Sequence, residues 1–472
     1  MEQLMQTIRR INAAVSGVVW GPPMLLLLMG TGVYLTVRTG FLPLTRFPLI
    51  LRETAGSLLR REKRGPAGPS RNLTPFEAVS TALASTVGTG SVAGVTGAIL
   101  IGGPGAVFWM WVSALVGMAT KYAEIVLAVR YRRTAPDGTH YGGPMYYIEA
   151  GLHMKWLAAA FALFGCAASF GIGNIAQATE ISNCLAGLLG MAGLSVSRLA
   201  IGIAVAAVVA VVILGGAKRI GQVTSLLVPF MALFYLLAGL AVVLLRIDQV
   251  PQALALIVRS AFTPQAAAGG AAGYAVGTAI RQGVARGVFS NEAGLGSAPM
   301  AHAAAETKSP VQQGFWGIFE VFVDTMVICT ITALTVILSG IWQGASIGQG
   351  GTYPSAGTAA AAAFNAVLPG QLGGIALQIS LLFFALSTLL GWSYYGERSI
   401  GYLTGRSPLA LLLYRAAYVL VCVLGSVGAG ELMWEISDTL NAMMALPNLI
   451  ALLLLSGQVA RATRDYFRPG TP

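Results

Sequence analysis

Apolar residues fall along this chain in long blocks, separated by short stretches in which arginine, glycine and proline gather. A helix needs about 20 apolar residues to cross the hydrocarbon core of a bilayer. Eleven blocks meet that length, near 13–37, 77–101, 106–129, 157–186, 197–215, 221–245, 272–305, 313–340, 371–395, 408–428 and 435–457. The pattern therefore predicts an all-α polytopic membrane protein with eleven transmembrane helices. The first block is too long for the apolar core of a signal peptide, and no small-residue cleavage pattern follows it. It is read as a transmembrane helix bent by Pro22 and Pro23.

The second block is interrupted from within. Residues 81–97 read TALASTVGTGSVAGVTG, placing Gly88, Gly90, Gly94 and Gly97 among hydroxyl side chains. Glycine inside a helix costs about 1 kcal/mol relative to alanine, and a backbone group freed at membrane depth costs more unless a partner or a water-filled cavity satisfies it. A helix that breaks here lines a cavity, where its carbonyls and N–H groups suit a small cation and the charged ends of a small substrate. The same residues also suit close helix packing.

The break has an echo. GTGS at 88–91 recurs as GLGS at 294–297, an offset of 206 residues. Thirteen residues beyond each serine stands a proline, Pro104 and Pro310, and a Phe-Trp pair follows each, Phe108-Trp109 and Phe315-Trp316. On the eleven-helix count the breaks fall in helices two and seven, five apart, so the two copies enter the membrane in opposite directions. That is the five-plus-five inverted repeat of secondary transporters, with two discontinuous helices and a site near the midplane. The chain then divides into an extra N-terminal helix with a basic connection (1–76), a first five-helix repeat (77–246), a second (270–458) and a basic tail (459–472).

Charge orients the bundle. Arg38, Arg46, Arg52, Arg60, Arg61, Lys63, Arg64 and Arg71 crowd the first connection, and Arg461, Arg464 and Arg468 the tail. The positive-inside rule makes both cytoplasmic and leaves the N-terminus outside, in a plasma (inner) membrane. A net charge of +11 needs no nucleic-acid partner, because anionic inner-leaflet lipid suits the cluster at 60–71. With 10% charged residues and a mean hydropathy of +0.72 the chain is no soluble globule. The four cysteines show no CxxC pair and read as small buried hydrophobes.

Several segments are more specific: STVGTGSVAGV and GGPGAVFWMW, GNIAQ from Gly173, SNEAGLGSAPMAHAAA from Ser290, STLLGWSYYGER from Ser387 and DTLNAMMALPNL from Asp438. Together, from about Asn72 to Ser456, the chain closely resembles the alanine or glycine:cation symporter family. The resemblance implies a leucine-transporter-like fold with one extra helix ahead of a ten-helix core, sodium as coupling ion, and alanine or glycine as substrate. It also implies a sodium site between the Ser387 and Thr388 hydroxyls and the carbonyls of Ala84 and Val87, a hard oxygen shell. The alternative for the hydroxyl pair is back-bonding to carbonyls one turn earlier. Two positions depart from the family pattern. Ser91 stands where an asparagine is usual, and Gly173 where a second asparagine is common, which suggests a looser pocket there.

The half-helix reading assigns Gly88, Thr89, Gly90 and Ser91 to a substrate carboxylate, Phe289 and Asn291 to closing the pocket, and Gln177 and Trp392 to further contacts; Phe289 and Trp392 equally suit plain packing. Among intramembrane acids, Glu320 and Asp324 are expected to pair with Arg281 or Arg286, with Asp324 alternatively a coupling carboxylate. Glu124 is expected to pair with Lys121 one turn away, and Glu292 to cap the second break or face the inner vestibule. His140 and His153 fall in an inside loop, and His302 is alone on helix seven. The pattern thus points to a sodium-coupled symporter of a small neutral amino acid, with proton coupling as the rival. A channel fits the two discontinuous helices poorly, and an enzyme lacks any metal-spaced cluster or nucleophile–base pair.

Overall fold

The computed structural model describes residues 2–59, 72–263, 272–307, 309–348, 351–428 and 431–468; the basic run at 60–71 and Lys308 lie outside the described residues. Helices α1 (Glu2–Val19) and α2 (Pro22–Arg38) lead the chain. The expected bend at Pro22 and Pro23 is a fresh start. Gly21 is extended, and the prolines occupy the first turn of α2, where a missing N–H forfeits no intrahelical bond.

Helix α3 (Pro75–Thr86) opens on a capping box, in which the Glu77 N–H donates to Thr74 Oγ1 at 3.1 Å and the Thr74 N–H to Glu77 Oε2 at 2.7 Å. It stops at Val87, whose ψ of 95° leaves the helical region. The chain resumes through a wide π-type turn, Gly90–Gly94, into α4 (Val95–Gly102), and α4 is bent from α3 by 49°. The break is shorter than the GTGS tetrad suggests, since only Val87 and Gly88 are bent and Thr89 is already helical.

Helix α5 (Gly105–Arg130) is the central post, with 83% of its apolar window buried. Next come α6 (Lys155–Phe170), a second wide turn at Gly171–Ile175, α7 (Ala176–Met191), α8 (Arg198–Ile213), α9 (Gly216–Leu245) and α10 (Val250–Phe262). The loop after α5 carries a short antiparallel ribbon, Arg133–Thr134 against His140–Tyr141.

Helix α11 (Ala272–Asn291) ends in the second break. Glu292 (φ 55°), Gly294 (φ 94°) and Gly296 (φ 81°) take left-handed conformations, and one helical turn, Pro299–His302, follows. The remainder is α12 (Pro310–Val321), a third wide turn at Phe322–Cys329, α13 (Thr330–Ser339), α14 (Ala356–Asn365), α15 (Leu372–Leu403), α16 (Pro408–Ser426) and α17 (Glu431–Tyr466). Both α11 and α12 pack along α5.

Among the described residues eight helical stretches are long and apolar enough to cross a membrane, and the bent α3–α4 pair makes a ninth. Two of the eleven expected spans differ. Helix α8 has only 16 residues, and the block at 272–305 is cut by the left-handed residues after Asn291. Along α9, Leu226, Phe230, Leu233, Leu237, Leu240 and Leu244 are all exposed at alternating four- and three-residue spacing, an apolar stripe suited to lipid. At one end of the bundle the Leu73 N–H donates to Ala304 O at 3.1 Å and the Glu306 N–H to Leu73 O at 2.7 Å, tying the entry of α3 to the exit of the second break.

Candidate substrate and cation site

Where the first break meets the end of α11 there is a small cavity of about 30 Å³. By the same kind of measure one water needs about 10–15 Å³, so any occupant is small. Seven of the residues assigned from sequence line it: Gly88, Thr89, Gly90, Gln177, Phe289 and Trp392, given to the substrate, and Thr388, given to the cation. Trp392 and Thr388 stand on the continuous helix α15, and the others come from an irregularity or its neighbour. Val87 and Gly88 form the bend in α3–α4, the Gly171–Ile175 turn precedes Gln177, and Phe289 is in the last turn of α11 before the second break. The helix restarting at Thr89 begins with N–H groups that have no intrahelical acceptor, which favours an anion.

Ser91 and Asn291 do not line this cavity. Ser91 is fully buried and donates to Asp324 Oδ1 at 2.6 Å, with Ser290 Oγ 3.0 Å away. Asn291 donates from Nδ2 to Thr325 Oγ1 at 3.1 Å, and its Oδ1 accepts the Ala293 N–H at 3.0 Å. Both fasten the broken helices to the Phe322–Cys329 turn. The Thr332 hydroxyl, donating to Ser91 O at 3.0 Å, adds to the same clasp.

Sequence reasoning left Asn441, Ser85, Thr86 and Ile172 out of the lining. The signal for Asn441 was present, because Asn441 and Asn448 are amides two turns apart inside an apolar helix. Gln177 donates from Nε2 to Ile172 O at 3.0 Å, yet its Oε1 is buried without a partner, as is Asn441 Oδ1. Two orphan amide oxygens on one small cavity are acceptors suited to an ammonium group. Gly173 is no loosening. A Cβ on it would sit 2.3 Å from Trp392 Cβ, so the indole occupies the space an asparagine would need.

The hydroxyl pair on α15 lies beside the first break. Ser387 Oγ donates to Ala84 O at 3.1 Å and to Phe384 O at 2.9 Å, while Thr388 Oγ1 donates to Phe384 O at 2.9 Å. Both hydroxyls thus back-bond along α15, and their lone pairs remain for a cation. A Cβ on Gly88 would come within 2.8 Å of Thr388 Oγ1, so the bend and the hydroxyl are in close approach. Val87, the fourth assigned ligand, is the buried residue at the bend itself.

The acids are placed differently from the expectation. Glu320 pairs with Lys121 at 3.1 Å, both fully buried, rather than with Arg281 or Arg286. His302 is not alone: its Nε2 is 3.3 Å from Glu320 Oε2 and its Nδ1 2.8 Å from Gln313 Nε2. Glu124 turns away from Lys121. Its Oε1 accepts the N–H groups of Gly294 (3.0 Å) and Gly296 (3.1 Å) and the Asn448 amide (2.5 Å), so Glu124, not Glu292, caps the second break. Glu292 lines the cavity and accepts the Ser297 hydroxyl at 2.5 Å. Asp324 is held by three hydroxyls, Ser91, Ser290 and Thr325. Arg281 and Arg286 line a separate cavity of about 180 Å³ with Trp20 and Asp438, on the other side of Phe289. These pairings join distant helices, so spacing within one helix could not reveal them.

A family model described as the sodium:alanine symporter family matches residues 5–470. The chain is 46% identical over 456 residues to the "Sodium/alanine symporter AgcS" of Methanococcus maripaludis, covering 96% of each chain. It is 37% identical over 470 residues to the "Probable sodium/glutamine symporter GlnT" of Bacillus subtilis, covering 98% of this chain and 92% of that one. Among solved structures, MhsT in complex with L-phenylalanine matches with a TM-score of 0.55 at 12% identity, over 84% of this chain and 99% of that one. That likeness is one of fold, and the fold is that of the leucine transporter.

Proposed function

Because the chain belongs to the sodium:alanine symporter family, we propose that it couples the entry of sodium to that of one small neutral amino acid, alanine or glycine, by alternating access. The observation that carries the reading is the gathering of oxygen-bearing elements on one small cavity and, through Ser387 and Ala84, just behind its wall. The bend at Val87 and Gly88 approaches Thr388, Ser387 reaches Ala84 O, and the orphan oxygens of Gln177 and Asn441 face the same space. On this reading the carboxylate rests on the helix restart at Thr89, the ammonium on Gln177 and Asn441, and sodium between Ser387, Thr388, Ala84 and Val87. Phe289 and Trp392 border the cavity, whose 30 Å³ is room for about two waters, so a methyl side chain asks for less opening than that of glutamine. The five-plus-five inverted repeat supplies the rocking, with the N-terminus outside and the C-terminus in the cytoplasm of a plasma membrane.

A proton-driven version has one observation of its own. Asp324, fully buried at the junction of both broken helices, is a carboxylate whose hydroxyl partners each offer a proton path. Uptake of labelled alanine and glycine into proteoliposomes decides the matter. Uptake driven by an inward sodium gradient supports the first reading; uptake driven by a pH gradient without sodium supports the second; uptake by neither refutes both.

A further inference from the structure

The largest cavity among those described is elsewhere. About 590 Å³ opens between the entry of α3, the ribbon after α5, the start of α9 and the ends of α15 and α16. Its wall carries Arg398, Arg406, Arg415, Lys218 and His140, with Glu397 the buried acid among them. Trp392, on the wall of the small cavity, is six residues before Arg398 on α15, about 9 Å at helical rise. The large cavity therefore lies directly along that helix from the candidate substrate site, towards the face that carries the basic loops.

The charges on this wall do not balance. Arg415 holds Glu397 through two bonds, Nε to Oε2 at 2.7 Å and Nη2 to Oε1 at 3.0 Å. Lys218 is met by Glu77 Oε2 at 2.7 Å and Asn72 O at 3.0 Å. Among the described carboxylates Arg398 approaches Glu397, at 3.8 Å, and Arg415 already occupies that group. Arg406 lies over the Tyr141 ring at 4.1 Å, and Arg398 over Tyr394 at 4.7 Å. Arg398 Nε and Arg406 Nη1 are buried donors with no acceptor among the described residues. Asp137, the remaining acid, is exposed and accepts the backbone and hydroxyl of Thr139. Burial first, then Arg132, pulls the pKa of His140 below its ordinary value, so His140 adds no acceptor charge and at neutral pH no positive one.

Buried donors of a guanidinium left without acceptors are costly. Tyrosine faces fix the two planes, and the fork of an arginine matches the two oxygens of a carboxylate. We propose that this cavity is a second site, which holds a small carboxylate on Arg398 and Arg406, and that its occupant is the amino acid just released, so that substrate accumulating on this face slows further release. The identity of the occupant rests on the transport reading above. The carboxylate chemistry does not.

Propionate, which is alanine without its ammonium group, separates the two sites, because it keeps the carboxylate and lacks the group that Gln177 and Asn441 address. Binding of labelled propionate to the purified full chain should be displaced by alanine and weakened at least about tenfold in Arg406→Gln. Arg406→Lys, which keeps the charge without the fork, should fall between and serves if Arg406→Gln does not fold. In proteoliposomes, propionate on the basic-loop side should slow alanine uptake by the wild type, slow it less in Arg406→Lys and leave it unchanged in Arg406→Gln. Propionate binding that is absent, or indifferent to Arg406, overturns the site, as does displacement by inorganic phosphate at lower concentration than by any carboxylate. A wild type with no sodium-driven alanine uptake but Arg406-dependent propionate binding refutes the transport reading and leaves the carboxylate site standing.

Discussion

Thr388 Oγ1 donates to Phe384 O and lies beside the bend at Gly88, so its lone pairs are the part of the side chain that remains for a cation. Replacing it with alanine removes one oxygen from a buried cation shell, and a charge-assisted contact of that kind is worth about 1.5–3 kcal/mol. Apparent sodium affinity in Thr388→Ala should fall roughly 10- to 150-fold, and alanine affinity should fall with it at limiting sodium and recover at saturation, because coupling is reciprocal. Sodium titration of uptake reads this directly; an unchanged titration curve in an active variant moves the ion elsewhere. Gly173 makes a steric prediction. Its Cβ position is 2.3 Å from Trp392 Cβ, so Gly173→Asn should lower the melting temperature in detergent and abolish uptake. Adding Trp392→Ala should restore the melting temperature without restoring selectivity for alanine over leucine. No recovery in the double variant means the clash is not with the indole.

At the scale of elements, the second break depends at Gly294 and Gly296 on a backbone that glycine enters more cheaply than other residues. Gly296 combines a φ of 81° with a Cβ position 2.7 Å from Pro144 Cγ, whereas Gly405 has a φ of 62° and nothing within 4 Å. Left-handed backbone costs an ordinary residue about 1–2 kcal/mol. Gly405→Ala should show that cost alone, and Gly296→Ala that cost plus the collision and the disturbed N–H contact to Glu124. Equal losses in the two variants on chemical denaturation would show that the break is not held by close packing. The first break was legible because glycines and hydroxyls crowd an apolar block. Its extent was not, since the wide turn at Gly90–Gly94 keeps Thr89 onward helical and confines the bend to Val87 and Gly88.

Across the whole molecule, the buried pair Lys121–Glu320 joins α5 to α12 with His302 from the far side of the second break as a third member. Removing one partner of a fully buried pair strands the other charge, at a cost of about 3–5 kcal/mol. Lys121→Met should therefore destabilise the protein more than Lys121→Met combined with Glu320→Leu, as read from detergent melting of the full chain. Strict additivity of the two single losses would mean that the charges do not stabilise one another.

Block length and glycine placement were enough for the class of protein, for a first break near Gly88 and a second near Gly294, and for most of the residues around the small cavity. Those properties follow from runs of hydrophobicity and from glycine, which act locally. The apolar blocks at 106–129 and 408–428 reappear within a few residues of their ends as Gly105–Arg130 and Pro408–Ser426. The partners of the buried charges were settled by how the helices pack. Glu124 is one turn from Lys121 in sequence but spends its oxygen on Gly294, Gly296 and Asn448, each more than a hundred residues away. A desolvated carboxylate is drawn to the densest set of unpaired donors in reach, and which donors are in reach depends on how α5, the second break and α17 are packed. The same holds for Arg398 and Arg406, whose unmet donors emerge only once Arg415 has taken Glu397.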